Sequence, residues 1–139
     1  MKSLSMSAFL CAVTLILVVS VQPVWPASVP STKPDKGLVV FYRLKKAKGA
    51  AIRFEITDAS AKSLGNLSNG SMIYEYLESG QHTFRARSPS VDGSDSITLD
   101  VAVGDVYYVQ GEILWGFPAG RPKFSQMPES QALADIKKL

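Results

Sequence analysis

Few residues of this chain could carry out catalysis or bind a metal ion. His82 is the only histidine and Cys11 the only cysteine among the 139 residues. A zinc site needs about four ligands, usually cysteine and histidine, and a serine nucleophile needs a histidine base with an acidic partner. No Gly-x-Ser-x-Gly sequence is present. The sequence therefore predicts no metal site, no cofactor and no catalytic residues.

A hydrolase is the less favoured hypothesis. It would have to use His82 or carboxylates such as Glu75, Glu78 and Glu112. His82 has the same strand phase as Phe84, which is typical of a packed or hydrogen-bonded histidine. Carboxylates on the outer face of a sheet are usually solvated, so we expect a non-enzymatic protein.

Four cations lie close together in residues 43–49 (RLKKAKG), and Arg43, Lys45 and Lys46 are candidate binding residues. One interpretation is a solvated turn at the end of a strand. The other is a rim that faces lipid head groups, an acidic glycan or the carboxylates of a partner. Such exposed charges are individually weak and are screened by salt.

A second candidate site lies in residues 115–121 (WGFPAGR), where Trp115, Phe117 and Arg121 surround a glycine- and proline-rich loop. Large aromatic residues and arginine are the types that anchor interfaces. If the loop projects from the domain, Trp115 and Arg121 form the best candidate binding spot; otherwise the two aromatic residues plug the end of the core. Arg43 would join this site if the first and last strands were neighbours, which the sequence leaves open.

The first 27 residues are predicted to be a signal peptide. Lys2 precedes an apolar stretch at 8–21 that is short for a membrane-spanning helix, and a proline-containing segment ends it. Cleavage is predicted after Ala27, with a site near Ser20 and an uncleaved membrane anchor as alternatives. A periplasmic or secreted location follows, and the remaining chain of about 110 residues forms one domain without a disulfide.

The net charge gives no indication of nucleic-acid binding. The chain carries 15 Lys and Arg against 12 Asp and Glu. A small excess of this kind provides no strong electrostatic attraction to a polyanion. We expect no nucleic-acid partner and at most a peripheral association with a membrane.

From residue 37 onward the chain has the pattern of short strands separated by turns. Residues 38–44 are apolar on both faces, as in a central strand, whereas 51–57 alternate with Ile52, Phe54 and Ile56 inward. Residues 106–115 form the longest predicted strand, with Gly111 at a bulge.

Three further patterns complete the predicted elements. Asn69 and Gly70 form a two-residue hairpin signal before residues 71–77. Residues 81–88 place Phe84 and Ala86 inward, and residues 96–103 bury alternate positions that include Val103. The tail, residues 128–139, is predicted to contain a short helix with Ala132, Leu133 and Ile136 on one face.

Seven or eight strands with almost no helix predict an all-β, antiparallel β-sandwich with a short C-terminal helix. A parallel sheet would need helices between the strands, and the sequence contains no such pattern. The predicted organisation is a signal peptide at 1–27, a flexible linker at 28–36, the sandwich at 37–127 and a helical tail at 128–139.

The order of several short segments resembles an uncharacterised family of exported bacterial domains that is known only as a domain of unknown function. The resemblance covers about residues 36–127 and rests on these segments: 37–43 (GLVVFYR), 69–71 (NGS), 79–83 (SGQHT), 104–109 (GDVYYV) and 120–123 (GRPK). Where the family has Pro-Gly, this chain has Ser79 and Gly80. The resemblance implies export and a transthyretin-like sandwich, and it carries over no catalytic residues.

Two hypotheses from different functional classes follow. The first is an exported, non-enzymatic sandwich that binds an envelope protein or glycan through the loop at 115–121. The second is a purely structural surface domain, for which Trp115 would be shielded from solvent. A hydrolase remains the less favoured third hypothesis.

Overall fold

The computed structural model describes residues 27–89, 93–115 and 120–139, which form eight strands and one helix. The predicted all-β fold with a short C-terminal helix is confirmed. The elements are β1 (Gly37–Arg43), β2 (Phe54–Asp58), β3 (Ser63–Leu67), β4 (Ser71–Leu77), β5 (Gly80–Arg87), β6 (Ser94–Val101), β7 (Val106–Leu114), β8 (Arg121–Met127) and α1 (Glu129–Ile136). The predicted signal peptide lies outside the described residues except for Ala27.

The strands form two four-stranded sheets, in the orders β4-β1-β7-β8 and β3-β2-β5-β6. All paired strands are antiparallel except β1 and β7, which are parallel from Leu38 opposite Val106 to Tyr42 opposite Gln110. A parallel pair needs a long crossover connection, which is usually a helix. Here the second sheet and β4 lie between β1 and β7 in the sequence, so a parallel pair forms without a crossover helix.

Strand β1 is buried along its whole length because it lies between two apolar layers. Val39 and Phe41 face the second sheet and form the inner core. Leu38, Val40 and Tyr42 face the opposite side, where helix α1 covers them. The apolar pattern on both faces of this segment, which predicted a central strand, is explained by these two layers.

The inner core is centred on Phe41, whose ring centroid lies 5.0 Å from that of Phe84 and 5.6 Å from that of Phe124. Gly111 faces this core, and a Cβ at this position would lie 2.8 Å from Cδ2 of Leu67. The predicted bulge at Gly111 is wrong, because the register of β7 with β8 continues unchanged through it. The glycine instead leaves room for side chains of the facing sheet.

The turn at Asn69 and Gly70 is present, but the hairpin prediction is wrong. Gly70 has a φ of +64°, and the Asn69 side chain accepts a hydrogen bond from the Lys46 backbone N–H at 2.9 Å. Strand β3 pairs with β2, whereas β4 pairs with β1. The turn therefore carries the chain from one sheet to the other.

Two side chains predicted to face the core are exposed. Val103 is 47% exposed because β6 ends at Val101 and residue 103 falls in the following turn. Leu133 is 36% exposed, whereas Ala132 and Ile136 are buried on the covered face of α1. The third buried residue of this helix is Asp135, which the apolar pattern did not predict.

A buried hydrogen bond connects helix α1 to the sheet beneath it. The Tyr42 hydroxyl donates to Oδ2 of Asp135 at 3.1 Å, and Nε2 of Gln131 donates to Oδ1 at 3.0 Å. Nζ of Lys138 lies 4.0 Å from the same Oδ1. Burial of the tyrosine, and then its bond to Asp135, raises the pKa of Tyr42 well above its ordinary value of 10.0.

We expect Tyr42→Phe to lower the free energy of unfolding at neutral pH by about 1–2 kcal/mol, because Asp135 loses a buried donor. The tyrosine pKa is raised by folding, so its contribution is present below pH 10.0 and is lost as the pH rises through the folded value. The variant should therefore lose stability less steeply above pH 10.0 than the original chain does. Urea unfolding across this pH range measures both effects.

The exposed Tyr74 supplies the control, since it is 49% exposed. Tyr74→Phe should leave the neutral-pH stability unchanged. Equal alkaline slopes for Tyr42→Phe and the original chain would contradict the assigned role of Tyr42.

Candidate functional site

Arg43, the last residue of β1, is 4% exposed and its guanidinium contacts the chain itself. Nη1 donates to the carbonyl oxygen of Ile52 at 2.5 Å, and Nη2 donates to that of Gly49 at 2.7 Å. The group lies 4.9 Å from the centroid of the Phe54 ring, and burial lowers its pKa. The structure therefore places this candidate binding residue beneath the loop at residues 44–53.

The other cations of this loop face solvent. Lys45, Lys46 and Lys48 are all exposed, and Nζ of Lys46 lies 3.8 Å from Oε2 of Glu112. Gly49 has a φ of +79°, and a Cβ at this position would lie 3.0 Å from Cζ2 of Trp115. A glycine is thus needed both for the turn and for the close approach of the indole ring.

Trp115 is partly packed and partly accessible. A Cβ at Gly120 would lie 3.3 Å from Cε3 of the indole, so the ring rests against two glycines. The ammonium of Lys48 lies 4.5 Å from the ring centroid, and 48% of the residue is exposed. The sequence left open whether Trp115 plugs the end of the core or projects as a binding residue. In the structure the ring is packed on one side and accessible on the other. Phe117 lies outside the described residues.

Arg121 and Leu114 lie opposite each other across β7 and β8. Arg121 is exposed, and its Cγ would lie 3.6 Å from a Cβ placed on Gly93. Leu114 is 46% exposed. Two consecutive residues, Leu114 and Trp115, therefore present large apolar surfaces next to Arg121.

The cleft between Trp115 and the loop at residues 44–53 is too small for an organic ligand. It is lined by Arg43, Lys46, Lys48, Glu112 and Trp115, among others, and has a volume of about 20 Å³. That is room for about one water molecule. Recognition here would have to use the surface around the cleft.

The loops at this end of the sandwich carry a concentration of positive charge, and we call this region the basic end. It comprises the described residues of the loops at this end, namely 44–53, 68–70, 88–89, 93, 115 and 120, with the strand residues that flank them. Its described residues include no acid and seven cations, of which all but Arg43 are exposed: Arg43, Lys45, Lys46, Lys48, Arg53, Arg87 and Arg121. Asp92 lies outside the described residues.

The nearest acids lie on the strands rather than in these loops, and the closest of them is Glu112, whose Oε2 is 3.8 Å from Nζ of Lys46. Asp95 accepts a hydrogen bond from the Phe124 backbone N–H at 2.7 Å, and Glu55 pairs across the sheet with Arg87. The described residues around the opposite end carry a nearly even mixture of four acids and three cations: Asp35, Asp58, Glu78, Asp105, Lys33, Lys36 and Lys62. Nζ of Lys36 pairs with Oε1 of Glu78. The excess of positive charge among the described residues is therefore concentrated at the basic end, and the opposite end is close to balanced.

Of the groups considered for catalysis, His82 and Glu78 lie at the opposite end, whereas Glu112 lines the cleft beside Lys46. The polar side chains around His82 do not form a triad. Asp58, Ser60 and His82 line one shallow depression. The Ser60 hydroxyl, however, donates to Asp58 at 2.7 Å, and Nε2 of His82 lies 2.9 Å from the carbonyl oxygen of Glu78. A nucleophilic serine would instead donate its proton to the histidine.

Neither a metal cluster nor a membrane-spanning helix is found in the described parts of the chain. No group of three or more His, Cys, Asp or Glu side chains among residues 27–89, 93–115 and 120–139 could hold a metal ion. In the same ranges no helix is long and apolar enough to cross a membrane.

Sequence reasoning missed part of the basic end. Leu114 precedes Trp115, and strand alternation would place only one of the two outward. Arg53 was not recognised as a neighbour of Arg87, because these residues are 34 positions apart in the sequence. Only the sheet topology brings their loops to the same end.

No family model matches the chain, and no curated protein matches it either. The resemblance to a family of exported bacterial domains therefore stays a prediction.

Proposed function

We propose that this chain is an exported, non-enzymatic β-sandwich domain that binds an anionic protein or envelope component through its basic end. The single observation that carries the proposal is the environment of Trp115. The indole is 48% exposed beneath the Lys48 ammonium, at an end where the described loops carry cations and no acid.

The two kinds of side chain would have different roles in binding. A half-exposed tryptophan supplies a large apolar contact, and tryptophan is among the residues that dominate interface energies. The six exposed cations attract and orient an anionic partner over roughly 10 Å at moderate salt. Arg43 supports this surface from below by fixing Gly49 and Ile52.

A purely structural domain is the alternative. The packing of Trp115 against Gly49 and Gly120 favours it, but that hypothesis expects a shielded tryptophan. The observed exposure of Trp115 and the one-sided charge distribution support a binding function better.

A cross-linked pull-down from an envelope extract tests the proposal. We expect the exported chain to retain a stoichiometric component, and Trp115→Ala with Arg121→Ala to reduce that retention at least about tenfold, since two anchoring residues are lost. Circular dichroism would verify that the variant is folded.

Tyr74→Ala is the matched control, because Tyr74 is 49% exposed, which equals Trp115 within one percent. It lies on β4, outside the basic end, and should keep full retention. If the original chain and both variants retained the same material, the assignment of the site would be wrong.

A further inference from the structure

We infer that the anionic partner of the basic end is the surface of a lipid bilayer, into which Leu114 and Trp115 insert. This inference rests on the proposed function, since it names the class of ligand for the same surface. Three features favour a bilayer: the exposed apolar pair, the kind of cation around it and the shape of the surface.

The apolar pair is unusual among the exposed residues of the domain. Five large apolar side chains are exposed in the described parts of the chain: Tyr74, Val103, Leu114, Trp115 and Leu133. Of these, only Leu114 and Trp115 are consecutive, and they occupy the end of β7 where the strand leaves the sheet. Apolar side chains at the end of a domain can enter the boundary between head groups and acyl chains, and tryptophan is enriched there.

The cations near this pair suit a mobile layer of phosphates. Lys45, Lys46 and Lys48 lie in one loop, and the ammonium of Lys48 is 4.5 Å from the Trp115 ring. Lysine is depleted in protein interfaces. At a membrane its long apolar stem lies along the interface while the charge reaches the phosphates. These residue types favour a lipid surface over the acidic patch of a protein.

The shape of the basic end fits an extended partner. The cleft holds about 20 Å³, so no head group can be enclosed in a pocket. Six exposed cations instead spread over both sheets at this end: Lys45, Lys46, Lys48, Arg53, Arg87 and Arg121. Acids and cations are nearly balanced at the other end, where Lys36 pairs with Glu78, so the excess positive charge of the basic end would turn that end towards an anionic plane.

Co-sedimentation with vesicles tests this inference. The probes are vesicles of phosphatidylglycerol with phosphatidylethanolamine, and neutral phosphatidylcholine vesicles for comparison. We expect the exported chain to bind the anionic vesicles at low salt and to be released at high salt. All variants share the same N terminus, so any contribution of the apolar leader is common to all of them.

Two sets of variants separate the insertion of apolar side chains from the electrostatic attraction of the lysines to the vesicle. Trp115→Ala should weaken binding about tenfold through lost apolar contact, and the triple change of Lys45, Lys46 and Lys48 to Gln should weaken it about a hundredfold. The controls are Tyr74→Ala and the joint change of Lys62 and Lys137 to Gln. Both controls alter exposed residues outside the basic end and should bind as the original chain does.

Fluorescence of the unmodified Trp115 provides a second readout. The chain has two tryptophans, so Trp25→Phe leaves Trp115 as the sole emitter. We expect a blue shift on anionic vesicles and quenching by lipids brominated along the acyl chain.

The outcomes distinguish this inference from the proposed function. Absent or salt-insensitive vesicle binding, or equal losses in the control variants, would overturn the lipid assignment. If vesicle binding were absent but the original chain retained a protein in the pull-down that the Trp115→Ala, Arg121→Ala variant did not retain, the proposed function would stand with a protein partner. If neither assay responded to changes at the basic end, both proposals would be wrong.

Discussion

Gly37→Ala is expected to lower the free energy of unfolding by about 3 kcal/mol or more, which is at the upper end for a single added methyl group. Gly37 is buried at the start of β1. A Cβ there would lie 2.3 Å from Cγ1 of Val101 and 2.7 Å from the carbonyl oxygen of Ala102. The second contact is with backbone, which cannot change rotamer to make room.

The backbone around Gly37 is held in place on both sides. The Leu38 N–H donates to the carbonyl of Asp105 at 2.9 Å, and the Gly104 N–H donates to that of Lys36 at 3.0 Å. Moving the turn at residues 102–105 away from β1 would lengthen both bonds. The added methyl group must therefore either strain the pairing of β1 with β7 or break these hydrogen bonds.

Urea unfolding of Gly37→Ala, Val101→Ala and the double variant measures this effect. Val101→Ala removes one of the two contacts, so we expect the double variant to be more stable than the sum of the single effects implies. It should still be less stable than Val101→Ala alone, because the carbonyl of Ala102 remains. A loss below about 1 kcal/mol for Gly37→Ala would contradict this prediction, since the turn at residues 102–105 would then move to accommodate the methyl group at little cost.

The sequence predicted the strands well because burial on one or two faces leaves a local pattern. The alternation of Phe54 and Ile56 with Glu55 identified β2, and the doubly apolar β1 identified a central strand. Strand pairing is not local. Asn69 and Gly70 encode a turn, but nothing nearby in the sequence says that β3 and β4 belong to different sheets.

The parallel pairing of β1 with β7 could not be predicted for the same reason. Parallel strands are usually connected by a crossover helix, whereas here the connection from β1 to β7 consists of the second sheet and β4. Gly111 illustrates the converse error. A glycine inside a strand suggested a local irregularity of the backbone. The strand is regular there, and the glycine is instead needed because Leu67 of the facing sheet occupies the space of a side chain.

The candidate site was predictable only in its parts. Lys45 and Lys46 are exposed loop cations, as their run of charges suggests. Arg43 belongs to the same run but is buried, because it is also the last residue of β1, which is buried along its whole length. The run of charges alone does not show this. The convergence of Arg53, Arg87 and Arg121 on one end follows from topology alone.

Arg43→Met is expected to lower the free energy of unfolding by about 2–4 kcal/mol, whereas Lys45→Met should change it by less than about 0.5 kcal/mol. Methionine can still pack against Phe54 but donates no hydrogen bond. The carbonyl oxygen of Ile52 then loses its bond from Nη1, while that of Gly49 keeps a 3.1 Å bond from the Ile52 N–H. Arg43→Lys should recover only part of the loss, since one ammonium cannot reproduce the two-pronged geometry.

Arg43→Met also tests whether Arg43 acts by positioning the loop at residues 44–53. Gly49 lies between the Arg43 guanidinium and the Trp115 ring, so releasing it should increase the quenching of Trp115 by iodide or acrylamide in a Trp25→Phe background. Partner retention should fall together with stability and recover partly in Arg43→Lys. If Arg43→Met abolished retention while stability and quenching stayed unchanged, Arg43 would instead contact the partner directly. Because Arg43 is only 4% exposed in the free domain, such contact would require the loop at residues 44–53 to open on binding.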